Sequence, residues 1–429
     1  MSTTHRIPGL VLSDHYFRLP LDYSQPEGEQ ITVFAREVVA AEHEGKDLPW
    51  LVYFQGGPGS ESPRPLSRSG WIKRAVQEYR VLLLDQRGTG LSSPILTQTL
   101  VQRGTPSQQA DYLKHFRADN IVRDAEAIRK QLLGPDKPWS ILGQSFGGFC
   151  VVRYLSASPE GLREAFATGG LPSLTRPAED VYRATYKRVL TQNQRYYARY
   201  PEDAELVREI IAYLSEHNVT LPNGDRLTPR RFQQIGLMLG DSEGFEKIHY
   251  LIEGAFIDTP NGREMSYRFL RAIENTHNYD TNPIFSILHE AIYCQEDASN
   301  WAAERVRAEY PEFDPHTTGT PYFTGEMIYP WMFEEYSVLR PLKEAADILA
   351  AYEGWPKLYD VERLQANTVP CAASVYYDDM YVEFAYSEET IKQIAGIKVW
   401  ITNEYAHNGL RANGEHVLGR LIDLVRGQL

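Results

Sequence analysis

Cysteine is scarce in this chain. Of 429 residues only Cys150, Cys294 and Cys371 are cysteines, far apart and with no C-x-x-C spacing. A disulfide framework and a zinc–thiolate site are therefore not expected. Reduced thiols are the norm in the cytosol, so the expected location is cytoplasmic. No histidine or cysteine pair has metal-ligand spacing, and no cofactor is expected. Long apolar runs are missing as well: none approaches the ~18 residues of a membrane span. The opening stretch MSTTHRIPGLVLSDHYF lacks the basic start and continuous apolar core of a signal peptide. Positive charge is in deficit, with 44 Lys and Arg against 57 Asp and Glu, a net −13. That balance argues against nucleic acid or an anionic membrane as a partner. There is no repeat of fixed period.

What is present is a globular composition with one sharply punctuated stretch, Leu142–Phe149, reading LGQSFGGF. Gly143-Gln144-Ser145-Phe146-Gly147 matches G-x-S-x-G. Trp139, Ile141 and Leu142 upstream suit a short buried strand. Phe149, Val151, Val152, Tyr154 and Leu155 downstream suit one side of a helix. Strand, tight turn and helix are the context in which such a serine hydroxyl stands exposed at the tip of a strained turn. A glycine-rich turn with an incidental serine would not need both flanks, so Ser145 is the expected nucleophile.

Around this stretch, strand and helix signals alternate. Residues 1–47 look like a sheet edge. Pro49–Gln55 is a continuous apolar run suited to a buried strand, ending at Gly56-Gly57-Pro58-Gly59. Tyr79–Leu84 is another, ending at Asp85-Gln86-Arg87-Gly88-Thr89-Gly90. His115–Leu133 carries apolar residues at helical spacing, and Ala165–Gly170 reads as one more strand. This pattern predicts an α/β fold: a mostly parallel central sheet, helices on both faces and a large helical insertion. Residues 1–170 form the first part of the core and 171–355 a helical cap, where strand signals are few and Val181–Tyr200, Glu205–His217 and Trp301–Tyr310 are amphipathic. No low-complexity linker bounds the cap, so it should pack on the core. Residues 356–429 return to the sheet pattern, with strands at Val369–Tyr377 and Ile397–Thr402 and a closing helix, Glu415–Arg426.

A serine hydroxyl needs a base, and the base an orienting carboxylate. In hydrolases built on such a sheet the chain order is Ser, Asp or Glu, then His. The order is met by Ser145, an aspartate at 378 or 379, and His407. The later two follow predicted strands, at whose carboxyl ends catalytic groups gather. His416 falls inside the last helix and is the weaker base candidate. Asp379 is preferred to Asp378, since one of two adjacent aspartates can serve merely as a cap. An oxyanion needs two preset amides. The Phe146 amide follows the nucleophile, and Gly57 lies in the loop after an early strand; Pro58 has no amide hydrogen. The 85–90 stretch is not a dinucleotide fingerprint, because Ser93 stands where a third glycine would fall.

Taken together, Gly56-Gly57-Pro58-Gly59, Asp85–Gly90 with Ser92, and Gly143–Gly148 resemble the proline iminopeptidases (prolyl aminopeptidases), serine peptidases of the α/β-hydrolase fold. The resemblance covers nearly the whole chain and points to the longer-chain bacterial branch. It implies release of N-terminal proline from short peptides through an acyl-enzyme, with Ser145, Asp379 and His407 as the triad. Asp379 matches the acid of the family's Asp-Met-Tyr-Val stretch. A further implication is cap acids that hold the substrate's free amine, placed by position at Glu290 and Glu326. Tyr293, Tyr329 and Trp331 are candidates for an apolar slot that takes the pyrrolidine ring. In the short-chain branch a glycine commonly precedes the catalytic histidine, and here it is Ala406. A carboxylic-ester or lactone hydrolase on the same fold is the alternative; such an enzyme would need no cap acids. Nothing in the sequence fixes the oligomeric state.

Overall fold

The computed structural model describes residues 3–276, 279 and 281–428. Its main sheet has nine strands: β1 (Thr4–Ile7), β2 (Leu10–Pro20), β3 (Gln30–Ala40), β4 (Trp50–Phe54), β5 (Arg80–Leu84), β6 (Trp139–Gln144), β7 (Leu162–Thr168), β10 (Cys371–Tyr376) and β11 (Lys398–Thr402). They run in the order β1-β2-β3-β5-β4-β6-β7-β10-β11. The first three are antiparallel hairpin neighbours at one edge, and β3 meets β5 antiparallel. From β5 to β11 every pairing is parallel. Parallel strands put all their carboxyl ends on one rim, which is what brings residues distant in sequence together. This topology agrees with the expected α/β-hydrolase fold.

Alternation along the central strands explains why both faces are covered. Val52 and Phe54 of β4 join the core shared with the helices Ala118–Leu133 and Phe146–Ala157. Leu51 and Tyr53 point the other way, into a second core with Trp71, Val417 and Leu421. A period of two feeding two apolar layers is why these strands read as unbroken apolar runs.

Between β7 and β10 the chain is largely helical, with Ala178–Arg199 and Asp203–Glu216 as its longest members. It also holds a small hairpin, β8 (Phe256–Thr259) with β9 (Gly262–Met265), which the sequence reading did not anticipate. The N-terminal segment likewise gave no hint of the full length of β2, an eleven-residue strand.

Buried arginines fasten the parts together. Arg117, 1 % exposed, donates from Nη1 to the carbonyls of Ala291 and Cys294, both at 2.8 Å, and from Nη2 to that of Pro356 at 2.9 Å. It thus reaches from the core into the inserted segment and the strand of chain returning from it. Arg87 pairs with Asp124 through two nitrogens and also donates to the Pro20, Leu21 and His115 carbonyls. Gln86 donates to the Gln55 carbonyl at 2.9 Å. The Asp85–Gly90 motif is therefore a structural knot under the glycine loop, as the failed dinucleotide pattern suggested.

Candidate active site

Ser145 sits between β6 and the Phe146–Ala157 helix with φ 57° and ψ −126°. A non-glycine residue in this region is strained. The strain is imposed by close packing on each side. A Cβ on Gly147 would come within 2.0 Å of the Phe54 carbonyl oxygen, and one on Gly143 within 2.1 Å of the Gly147 oxygen. Only glycine at these two positions lets helix and strands approach so closely. The Ser145 amide is fixed by the Thr168 carbonyl at 2.9 Å.

His407 follows β11 and Asp379 follows β10. Nδ1 of His407 lies 2.7 Å from Oδ2 of Asp379, and both residues are buried. The other carboxylate oxygen, Oδ1, accepts the Tyr381 amide at 2.8 Å and the Val382 amide at 3.1 Å. Both oxygens of Asp379 are thereby assigned, which orients the imidazole. The neighbouring Asp378 faces outward and pairs with Arg195 at 3.0 Å. Burial pulls the His407 pKa down. The charge and hydrogen bond of Asp379 outweigh it, and the net shift is upward from 6.5.

Ser145, His407, Gly57 and Glu326 all line one cavity of about 270 Å³. Gly57 has φ +129°, and the Phe146 amide is the first of the helix, free of any intrahelical acceptor. The positive end of the helix dipole falls at this point, suiting it to a developing negative charge. The structure also brings in residues not singled out from the sequence. Leu237, Met238, Tyr279, Phe285 and Tyr381 supply apolar wall, and Asp241 and Arg411 supply charge. The Tyr381 ring stands edge-on to His407 with centroids 4.7 Å apart. Its only sequence signal was its place in the Asp-Met-Tyr-Val stretch.

The two cap acids part company. Glu326 lies on the cavity wall, and desolvation raises its pKa to about 8; Asp379 adds to the rise, and the charges of His407 and Arg411 oppose it. Glu290 does not line the cavity. Its two carboxylate oxygens accept the amides of Ala302 at 3.1 Å and Ala303 at 2.9 Å, capping the Ala302–Arg307 helix. The structure does not bring Glu290 to the cavity with Glu326, as the sequence reading expected: its lone pairs serve a helix N-terminus. The aromatic candidates also lie elsewhere. Tyr293 packs among Phe149, Tyr182 and His289, while Tyr329 and Trp331 line a separate cavity on the cap.

Among the described residues, one His/Asp/Glu group has metal-ligand geometry: Glu202, Asp203 and His249. Asp203 is already bonded to His249 and Tyr196, and none of the three lines the Ser145 cavity. No helix among the described residues is long and apolar enough to cross a membrane.

Residues 49–276 match the alpha/beta hydrolase fold family. The chain is 52% identical over 421 residues to a proline iminopeptidase of Aeromonas sobria, covering 98% of each chain. The chain belongs to the proline iminopeptidase family. A fungal member, proline iminopeptidase aneH of Aspergillus aculeatus, is 38% identical over 431 residues, spanning 98% of this chain and 95% of the relative. Among solved structures, the proline iminopeptidase of Mycobacterium smegmatis superposes with a TM-score of 0.45 at 12% identity, covering 96% of this chain and 98% of that one. Here the largely helical segment lies between Ser145 and the two later residues, Asp379 and His407.

Proposed function

We propose that the protein is a serine aminopeptidase that releases proline from the N-terminus of short peptides. The observation that carries the reading is a single cavity walled by Ser145, His407 and one desolvated acid, Glu326. Glu326 receives the substrate's ammonium, and the pyrrolidine ring lies against apolar wall such as Phe285 and Leu237. His407, held by Asp379, takes the Ser145 proton as the hydroxyl attacks the prolyl carbonyl. The Gly57 and Phe146 amides stabilise the oxyanion. His407 then protonates the leaving amine, and water hydrolyses the acyl-enzyme. The protein works in the cytoplasm and needs no cofactor on this reading.

Glu326 makes the reading testable. With a pKa of about 8 it is largely neutral in the free enzyme at pH 7, and an arriving ammonium favours its ionised form. A charge-assisted hydrogen bond is worth roughly 1.5–3 kcal/mol. Glu326→Gln should therefore lower kcat/KM for a prolyl arylamide by about 10- to 100-fold, while turnover of a simple acyl ester falls far less. An unchanged kcat/KM for the prolyl arylamide in this variant would favour the ester or lactone hydrolase.

The same variant should be more stable than the wild type in alkali. The folded pKa exceeds the 4.5 of the free side chain, so the folded state holds the extra proton between those values. Stability therefore falls as pH rises from about 4.5 to about 8. Melting curves should show Glu326→Gln ahead of the wild type at pH 9, with the gap closing toward pH 5.

A further inference from the structure

The cavity holds a second charged element that the mechanism does not use. Arg411 is the one lysine or arginine among the described residues lining it. It sits on the short helix Gly409–Ala412, just beyond His407, and its side chain is 60% exposed at the mouth. Nη2 donates to Asp241 Oδ1 at 2.9 Å. Asp241 is shared, since its other oxygen meets Lys247 Nζ at 3.3 Å. A guanidinium has five N–H donors, and this ion pair occupies one nitrogen. Arg411 is near enough to the chemistry that its charge pulls down the pKa of both Glu326 and His407.

We propose that Arg411 forms a subsite for the C-terminal carboxylate of the shortest substrates, dipeptides with N-terminal proline. The inference rests on the aminopeptidase reading. If the ammonium lies at Glu326 inside the cavity and the prolyl carbonyl at Ser145, the remaining residue leads outward to the mouth. In an extended dipeptide the two charged ends lie roughly 7 Å apart, two residue lengths. A planar fork is the group suited to a carboxylate, which it can grip through two parallel hydrogen bonds. The subsite also answers an electrostatic problem. A chain of net charge −13 repels a free carboxylate, and a local cation at the mouth offsets that repulsion.

The test compares prolyl-glycine with prolyl-glycinamide, which differ only in the terminal charge. For the wild type the kcat/KM ratio, acid over amide, should be about 10, or ~1.4 kcal/mol. In Arg411→Gln the ratio should fall to one or below, with the change in KM. Arg411→Lys keeps the charge without the fork and should fall between. Taking the ratio on each enzyme removes any general effect of the substitution on His407 or Glu326. A ratio near one in the wild type, or an unchanged ratio in Arg411→Gln, overturns the subsite. Those results leave the aminopeptidase reading intact, provided a prolyl arylamide is cleaved. Failure on every prolyl substrate would bring down both.

Discussion

Ser145→Ala should fold like the wild type and cleave a prolyl arylamide roughly 10⁴- to 10⁶-fold more slowly in kcat, the range seen when a triad nucleophile is removed from other serine hydrolases. The fold should survive because nothing about the turn depends on the hydroxyl. The φ of 57° is held by the Ser145 amide on Thr168 and by the glycine packing at 143 and 147. Alanine has the same Cβ and meets the same backbone strain. The residual rate would come from the amides of Gly57 and Phe146 and from substrate positioning. A serine-reactive phosphonate should label the wild type and not the variant. Turnover within tenfold of the wild type would remove Ser145 from the chemistry.

Asp379→Asn is the other large effect, about 10⁴-fold in kcat by analogy with other triads. Here the direction follows from the local hydrogen bonds. Oδ1 accepts two amides, from Tyr381 and Val382. An asparagine must keep its oxygen there and turn its NH2 toward His407 Nδ1. That nitrogen would then have to accept, forcing the imidazole proton onto Nε2, the atom needed to take the serine proton. The variant also loses the two influences that hold the His407 pKa up against burial, so its imidazole should titrate at lower pH. A kcat loss below tenfold, or an unmoved histidine titration followed by NMR, would contradict this account. Asp378→Asn, which disturbs an ion pair with Arg195 and a charge near Arg188, should change kcat little.

How far the sequence reveals this arrangement depends on whether the cause is local. The G-x-S-x-G turn is dictated by short-range sterics, and its glycines are visible as letters. The central strands are visible because both faces are buried. Their order is also constrained, since parallel connections need the intervening helices that the periodicity shows. Glu290 is different. Whether a glutamate holds a ligand or caps a helix depends on where Ala302 and Ala303 come to lie, twelve and thirteen residues onward. Glu290 and Glu326 look alike in sequence, both acids amid aromatic residues, and only tertiary packing separates them. Arg411 was illegible for a related reason: an exposed arginine beside an Asn-Gly turn looks like any solvated surface charge. The hairpin Phe256–Met265 has a Pro-Asn-Gly turn that could have announced it, but its strands are short and mostly solvent-facing and so lack an apolar stripe.

Arg117 has a bearing on how peptides get in. Its guanidinium is sealed off from water and spends its donors on carbonyls at Ala291, Cys294 and Pro356. Prising the insertion from the sheet would break these three hydrogen bonds together, so the two parts should not hinge open in each catalytic cycle. Heating should melt them in one calorimetric transition. If the two parts stay closed, the entrance to the Ser145 cavity should keep its width, and a loose chain end should be cleaved in preference to the tucked-in terminus of a folded protein.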